Sequence, residues 1–95
     1  MTGGTAENAR ALVRLHPEVS MADTDYGLVL LDRRDGRYWQ LNSTGAEILR
    51  RLMDGEEVGA VAGFLAAEYE VDPAEAERDV RSLLDEIVGR GMALR

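Results

Sequence analysis

The sequence predicts an α+β domain of winged-helix type, in which a three-stranded antiparallel sheet comes first and three helices follow. Three observations support this fold. Short apolar runs separated by turn residues fill the first half of the chain, helical apolar spacing fills the second half, and the pair Asp72-Pro73 marks a helix start. With 95 residues, 45% hydrophobic and 31% charged, the chain has the size and composition of one folded domain.

Three consecutive segments have the pattern of β-strands. Residues Val19 to Asp23 alternate in character, and the apolar run Leu28 to Leu31 is typical of a central strand. After the Asp35-Gly36 turn, Arg37 to Leu41 alternates again. Because short turns join these strands, we expect an antiparallel meander that leaves the third strand at an edge of the sheet.

Two amphipathic segments follow the strands and predict helices. The first helix is expected from about Ser43 to Met53 and ends at a glycine, and the second from about Glu57 to Tyr69. Thr44 and Glu47 have the spacing of a capping box. Asn42 and Ser43 are equally suitable caps.

The third predicted helix begins at Asp72-Pro73, with Asp72 as the cap and Glu75 as its reciprocal partner, and runs to about Gly89. Its apolar band consists of Val80, Leu83, Leu84, Ile87 and Val88. Upstream of the strands, residues 1–15 are small, polar or weakly patterned and predict a flexible tail. The folded domain is therefore expected to cover residues 16–95.

Composition excludes several classes of function. The chain contains no cysteine and one histidine, has no apolar run of membrane-spanning length, and lacks a signal-peptide pattern, so a cytoplasmic protein without a cofactor or a membrane partner is expected. It has no glycine-rich phosphate loop and no activated serine, so catalysis is not expected. The Asp23-Asp25 pair is read as a solvated turn and not as a metal site.

Charge argues against a nucleic-acid partner, although the predicted helices suggest helix-turn-helix DNA binding. The formal net charge is -7, and the segment Asp72 to Arg90 has six acidic residues against three arginines. Such a helix repels phosphate.

An edge strand offers another kind of binding surface, because its unpaired N–H and C=O groups can accept an extended peptide as a further strand. The segment Arg37 to Leu41 is short, carries two aromatic residues and has no lysine or proline to prevent pairing. The sequence therefore favours peptide recognition by strand addition.

Several segments together resemble the PqqD-like family of RiPP recognition elements, over about Val19 to Leu94. The matching segments are Leu28 to Asp32, Gly36 to Asn42, Thr44 to Leu49, Asp54-Gly55, Asp79-Val80, Leu83-Leu84 and Gly91. The pattern Tyr-Trp-x-Leu-Asn-x-Thr-Gly is most similar to that of the standalone members of lasso-peptide biosynthesis.

The resemblance implies a non-catalytic protein that binds the leader segment of a ribosomally made precursor peptide. It also implies delivery of that leader to a leader peptidase of the transglutaminase-like class, and an indirect connection to a cyclase. In the family, the leader adds to the third strand and lies against the third helix. Transferred to this sequence, the implied leader-binding residues are Arg37, Tyr38, Trp39, Gln40, Leu41, Leu30, Asp79, Val80, Leu83, Leu84 and Ile87.

Two alternatives remain at this stage. The first is a PqqD-type peptide chaperone that serves a radical-SAM maturation enzyme. The second is a winged-helix DNA-binding protein, which the acidic third helix disfavours.

Overall fold

The computed structural model describes residues 13–95, and within this range the chain forms five strands and three helices. Strands β2, β3 and β4 form an antiparallel sheet in that order, which places β4 at an edge. The predicted α+β fold, with a three-stranded sheet ahead of three helices, is confirmed. In chain order the elements are β1 (Arg14–Leu15), β2 (Val19–Thr24), β3 (Gly27–Asp32), β4 (Arg37–Asn42), α1 (Ser43–Met53), α2 (Val58–Tyr69), α3 (Pro73–Gly89) and β5 (Ala93–Leu94).

The sheet buries the face that it turns toward the helices. Side chains alternate along each strand, and Leu28, Leu30 and Leu41 lie on the buried face. Gly27 is required where β3 begins, because its φ is +155° and a Cβ atom at this position would lie 2.0 Å from the carbonyl oxygen of Leu41. The β3–β4 pairing thus depends on the absence of a side chain there.

Asn42 joins the sheet directly to α1. It is the last residue of β4, and its Oδ1 accepts a hydrogen bond of 2.8 Å from the Gly45 N–H. Asn42 is therefore the N-cap among the three candidates. The capping box predicted for Thr44 and Glu47 does not form, because Glu47 pairs with Arg51 one turn later at 2.7 Å.

The third helix begins where the sequence predicts, but its cap differs in detail. Asp72 is the N-cap and Pro73 the first helical residue, yet the Asp72 side chain makes no capping hydrogen bond. The reciprocal box with Glu75 is therefore wrong. Both side chains are exposed to solvent, where water can satisfy the free N–H groups of the first turn.

The two ends of the described chain form a second, two-stranded sheet. Arg14 pairs with Leu94 in the antiparallel β1–β5 ribbon, and the Val13 side chain next to it is only 2% exposed. The prediction of a tail extending to residue 15 is therefore wrong for residues 13–15, which are held by this non-local pairing. The rest of the predicted tail, residues 1–12, lies outside the described residues.

One core lies between the inner face of the three-stranded sheet and the helices. The largest fully buried side chains are Leu28, Leu30, Leu49, Ile87, Val13, Val61 and Val80.

Within residues 13–95, no helix is long and apolar enough to cross a membrane.

Candidate functional site

The outer edge of β4 is the feature on which the candidate site is built. Within the described range, β3 is the strand hydrogen-bonded to β4, and no strand pairs with its other side. An unpaired edge of six residues carries backbone groups that a further strand could bond.

The phase of the hydrogen-bond ladder identifies which backbone groups point outward. The Arg33 N–H donates to the Glu18 carbonyl at 2.9 Å, and these two residues lie opposite each other one position beyond the β2–β3 pair Val19–Asp32. Opposite residues of an antiparallel pair are bonded alternately, so the odd-numbered residues of β3 bond to β2. The even-numbered residues of β3, including Leu30, therefore bond to β4.

The register between β3 and β4 shows which backbone groups of β4 point toward β3. Leu30 lies opposite Trp39, so the N–H and C=O groups of Trp39 point into the sheet. The backbone groups of its neighbours, Tyr38 and Gln40, consequently point away from the sheet. These are the groups that an added strand would meet.

The side chains of β4 divide between the two faces of the sheet. Arg37, Trp39 and Leu41 lie on the side of the helices, and Leu41 is buried while Trp39 is partly buried. Tyr38 and Gln40 lie on the opposite, exposed face. Tyr38 is 68% exposed there, so its side chain is not placed between β4 and the helices.

A stripe along α3 reaches this edge at its C-terminal end. Asp79, Leu83, Glu86 and Arg90 are spaced so that they share one helix face. The Arg90 guanidinium lies 4.7 Å from the centre of the Trp39 ring, which places the C-terminal end of the stripe directly over β4. The space between the β4 edge and this stripe is called the groove below.

The groove ends in a cavity next to the β3–β4 hairpin. The cavity has a volume of about 370 Å³ and lies between the hairpin and the end of α3. Arg37, Arg90 and Met92 are among the residues that line it. The full lining is Asp32, Asp35, Gly36, Arg37, Tyr38, Arg90 and Met92.

An ion pair fixes the hairpin against the end of α3. Asp32 is 4% exposed, and its carboxylate accepts two hydrogen bonds from the Arg34 side chain, at 2.9 and 2.7 Å, and one from the Arg34 backbone N–H at 3.0 Å. Arg34 also donates to the Gly91 carbonyl at 2.9 Å. These hydrogen bonds from Arg34 lower the pKa of Asp32 to about 2, so the carboxylate is charged at neutral pH.

The structure separates the predicted site residues into two groups. Arg37, Trp39, Leu83 and Asp79 have exposed or partly buried side chains, and Tyr38 and Gln40 have outward backbone groups. Five others belong to the core and have at most 7% of their surface exposed, so their side chains are not accessible from the groove in this structure. These five are Leu30, Leu41, Val80, Leu84 and Ile87.

Sequence reasoning missed Arg90, Glu86 and the Asp32–Arg34 pair. Arg90 follows the expected end of the third helix and lies outside the predicted apolar band. Its spacing of four residues from Glu86 and seven from Leu83 is the signal that places it in the stripe. No comparable local signal identifies the contact of Arg34 with Gly91, which are far apart in the chain.

The groups that the groove presents are suited to binding a ligand. Among the described residues, no three His, Cys, Asp or Glu side chains gather in a way that could hold a metal ion. The described residues also leave no buried side-chain polar atom without a hydrogen-bond partner. What the groove offers is backbone edge, one indole ring and a line of charged groups.

Solved structures with the same fold include two leader complexes. A lasso peptide synthetase B1 complexed with the leader peptide is 54% identical, with a TM-score of 0.84, and the match covers 88% of this chain and 99% of that chain. TbiB1 in complex with the TbiA(beta) leader peptide is 29% identical, with a TM-score of 0.75, covering 84% of this chain and 93% of that one.

A third similar structure is the PqqD truncation of Methylobacterium extorquens PqqCD, described as a functional and stand-alone RiPP recognition element. It is 27% identical, with a TM-score of 0.70, and the match covers 87% of this chain and 88% of that chain. No curated protein matches the chain. The family described as Coenzyme PQQ synthesis protein D (PqqD) matches residues 27–93, from β3 into β5. The resemblance seen in the sequence is thereby confirmed, and the chain belongs to the PqqD family.

Proposed function

We propose that this protein is a non-catalytic, cytoplasmic adaptor that binds the leader of a lasso-type precursor peptide. The leader adds as a strand to β4 and lies in the groove against α3. The adaptor then presents the leader to a leader peptidase of the transglutaminase-like class, and the processed precursor passes to a cyclase. The 54% identity to a synthetase B1 that is complexed with a leader peptide supports the choice of ligand.

The single observation that carries this proposal is the open edge of β4. Within residues 13–95, the outward N–H and C=O groups of Tyr38 and Gln40 have no strand to pair with, and the Arg90 guanidinium at the end of α3 lies over Trp39 between them. A peptide that bonds all of these groups gains about 2–6 kcal/mol, at about 0.5–1.5 kcal/mol for each hydrogen bond.

Backbone pairing alone is too weak and too unselective for a specific complex. A Kd of 1 μM corresponds to about 8 kcal/mol, and association also costs translational and rotational freedom. Side-chain contacts must therefore add several kcal/mol. Leu83 and Trp39, both partly buried, are the apolar groups that the groove offers for this purpose.

A proline substitution tests strand addition directly. Gln40→Pro removes an outward N–H without breaking the ladder to β3, because proline is tolerated where the N–H faces away from the sheet. We expect a loss of affinity of tenfold or more for a synthetic peptide with the leader sequence from the 54%-identical complex, measured by isothermal titration calorimetry.

The matched control is Met21→Pro. By the same ladder phase, the N–H of Met21 points outward from β2, at the opposite edge of the sheet. This variant should bind the leader as wild type does, and circular dichroism should show that both variants are folded. If Gln40→Pro folds and binds with unchanged affinity, strand addition at β4 is wrong.

A second candidate is a PqqD-type chaperone that delivers a different precursor to a radical-SAM enzyme. The family match over residues 27–93 and the 27% identity to the PqqD truncation favour it. It uses the same edge and differs in the peptide that is carried. Stronger binding of a PQQ precursor peptide than of the lasso leader in the same titration would favour this candidate.

A further inference from the structure

We propose that Arg90 is a specificity-determining residue that binds a carboxylate side chain of the leader in the cavity at the hairpin end of the groove. This inference rests on the proposed leader binding and adds the chemistry of one leader residue. It gives the groove a means of selection that backbone pairing lacks.

Arg90 is held in the groove without using most of its donors. Its guanidinium stacks over Trp39 at 4.7 Å, and Nη2 donates to Glu86 Oε2 at 3.0 Å. Within the described residues this is the one hydrogen bond of the guanidinium, which has five N–H donors. The Arg90 side chain is 49% exposed, so a ligand in the groove can reach it.

The other charges around the cavity leave positive groups available. Asp32 is already bonded to Arg34, which satisfies its carboxylate. Arg37 is 82% exposed, and its Nε lies 3.7 Å from Asp35, too far for a good hydrogen bond. Arg37 and Arg90 therefore line the same space of about 370 Å³, Arg37 with no close partner and Arg90 with N–H donors beyond the one bonded to Glu86.

A carboxylate is the ligand group that matches this geometry. A guanidinium bonds a carboxylate through two parallel hydrogen bonds, and such charge-assisted pairs are among the stronger protein hydrogen bonds. A lysine at the same place in the leader would be repelled by both arginines. At the other end of the stripe Asp79 is exposed and acidic, so the groove also has a charge polarity that can set the direction of the peptide.

Substitutions of Glu86 and Arg90 should change leader affinity in opposite directions. Because Glu86 occupies Arg90 in the free protein, a leader carboxylate must compete with it. Glu86→Gln should therefore raise the affinity for the leader, whereas Arg90→Gln should lower it about tenfold or more. Arg90→Lys keeps the charge but loses the paired hydrogen bonds and should give an intermediate affinity.

The same helix offers a matched control. Glu77 and Arg81 form an equivalent pair, at 2.9 Å with the same spacing, on a face of α3 turned away from the stripe. Arg81→Gln and Glu77→Gln should leave leader affinity unchanged. The probe is the synthetic leader peptide of the 54%-identical complex, prepared also with each acidic residue replaced in turn by its amide.

One of the amide peptides should bind wild type about tenfold more weakly than the unmodified leader does. The same peptide and the unmodified leader should bind Arg90→Gln with equal affinity, since the variant has already lost the ion pair. If the unmodified leader binds and neither Arg90→Gln nor any amide peptide changes its affinity, the role of Arg90 is wrong while leader binding stands. If the unmodified leader does not bind wild type at all, the proposed function itself fails. Titration of the peptides against wild type keeps the test valid even if a protein variant does not fold.

Discussion

The neighbouring residues Leu83 and Leu84 should separate leader binding from stability. Leu84 is 3% exposed in the core, whereas Leu83 is partly buried on the stripe that faces the groove. Leu84→Ala removes three buried carbons, which costs about 2.4 kcal/mol at about 0.8 kcal/mol for each, and the cavity that remains raises the total to about 3–4 kcal/mol. For a domain of this size, the melting temperature should fall by roughly 12–32 °C.

Leu83→Ala removes the same atoms from a partly exposed position and should cost about 1 kcal/mol of stability or less. Its main effect should be on the leader, whose affinity falls because the wall of the groove loses apolar surface. The two variants are compared by urea unfolding and by calorimetric titration of the leader at a temperature where both are folded. The assignment of the two faces is refuted if folded Leu84→Ala loses leader affinity while Leu83→Ala keeps it.

Three further predictions concern stability. Because the pKa of Asp32 is lowered from 3.8 to about 2, its carboxylate stabilises the fold above about pH 4, and this contribution is lost as the pH falls toward 2. The urea midpoint of Asp32→Asn should therefore vary less over this pH range than that of wild type. An equal dependence of the two urea midpoints on pH would contradict the pair with Arg34. Glu70 ends α2 with a φ of 55°, a left-handed conformation that glycine adopts more easily. Glu70→Gly should therefore stabilise the fold by about 1 kcal/mol in urea unfolding. A loss of stability would show that the Glu70 side chain has a role of its own. Gly27→Ala should cost about 3 kcal/mol or more, since its Cβ would overlap the Leu41 carbonyl oxygen, and a melting temperature near that of wild type would mean that the β3–β4 pairing can shift.

The parts of the fold that sequence predicted well are those with local signals. Alternation and the Asp35-Gly36 turn locate β3 and β4 to within a residue at each end, and helical spacing locates α1 without error. The β1–β5 ribbon has no such signal. Its strands are two residues long and about 80 residues apart in the chain, so nothing in either segment alone indicates that they pair.

The groove was predicted less completely than the fold because one helix serves two purposes. On α3 the core side chains Val80 and Ile87 lie only about 60° or less around the helix from Leu83, at about 100° for each residue. A sequence pattern therefore shows one broad apolar band and does not reveal where the core ends and the groove begins. The Arg90–Trp39 contact shows which side of the band lies toward β4, and it depends on how β4 and α3 pack together.

The distribution of charge explains why a winged-helix shape here points to a peptide and not to DNA. Residues 54–86, which carry α2 and most of α3, contain eleven carboxylates and two arginines. A surface of this composition repels a phosphate backbone, which carries one charge for each nucleotide. An extended peptide has no such charge, and in the proposed strand addition it would draw part of its binding energy from the neutral N–H and C=O groups of β4. Charged side chains along the groove then cost little of the binding free energy, and they can select among peptides by charge. The acidity that disfavours DNA binding is therefore compatible with a selective peptide groove.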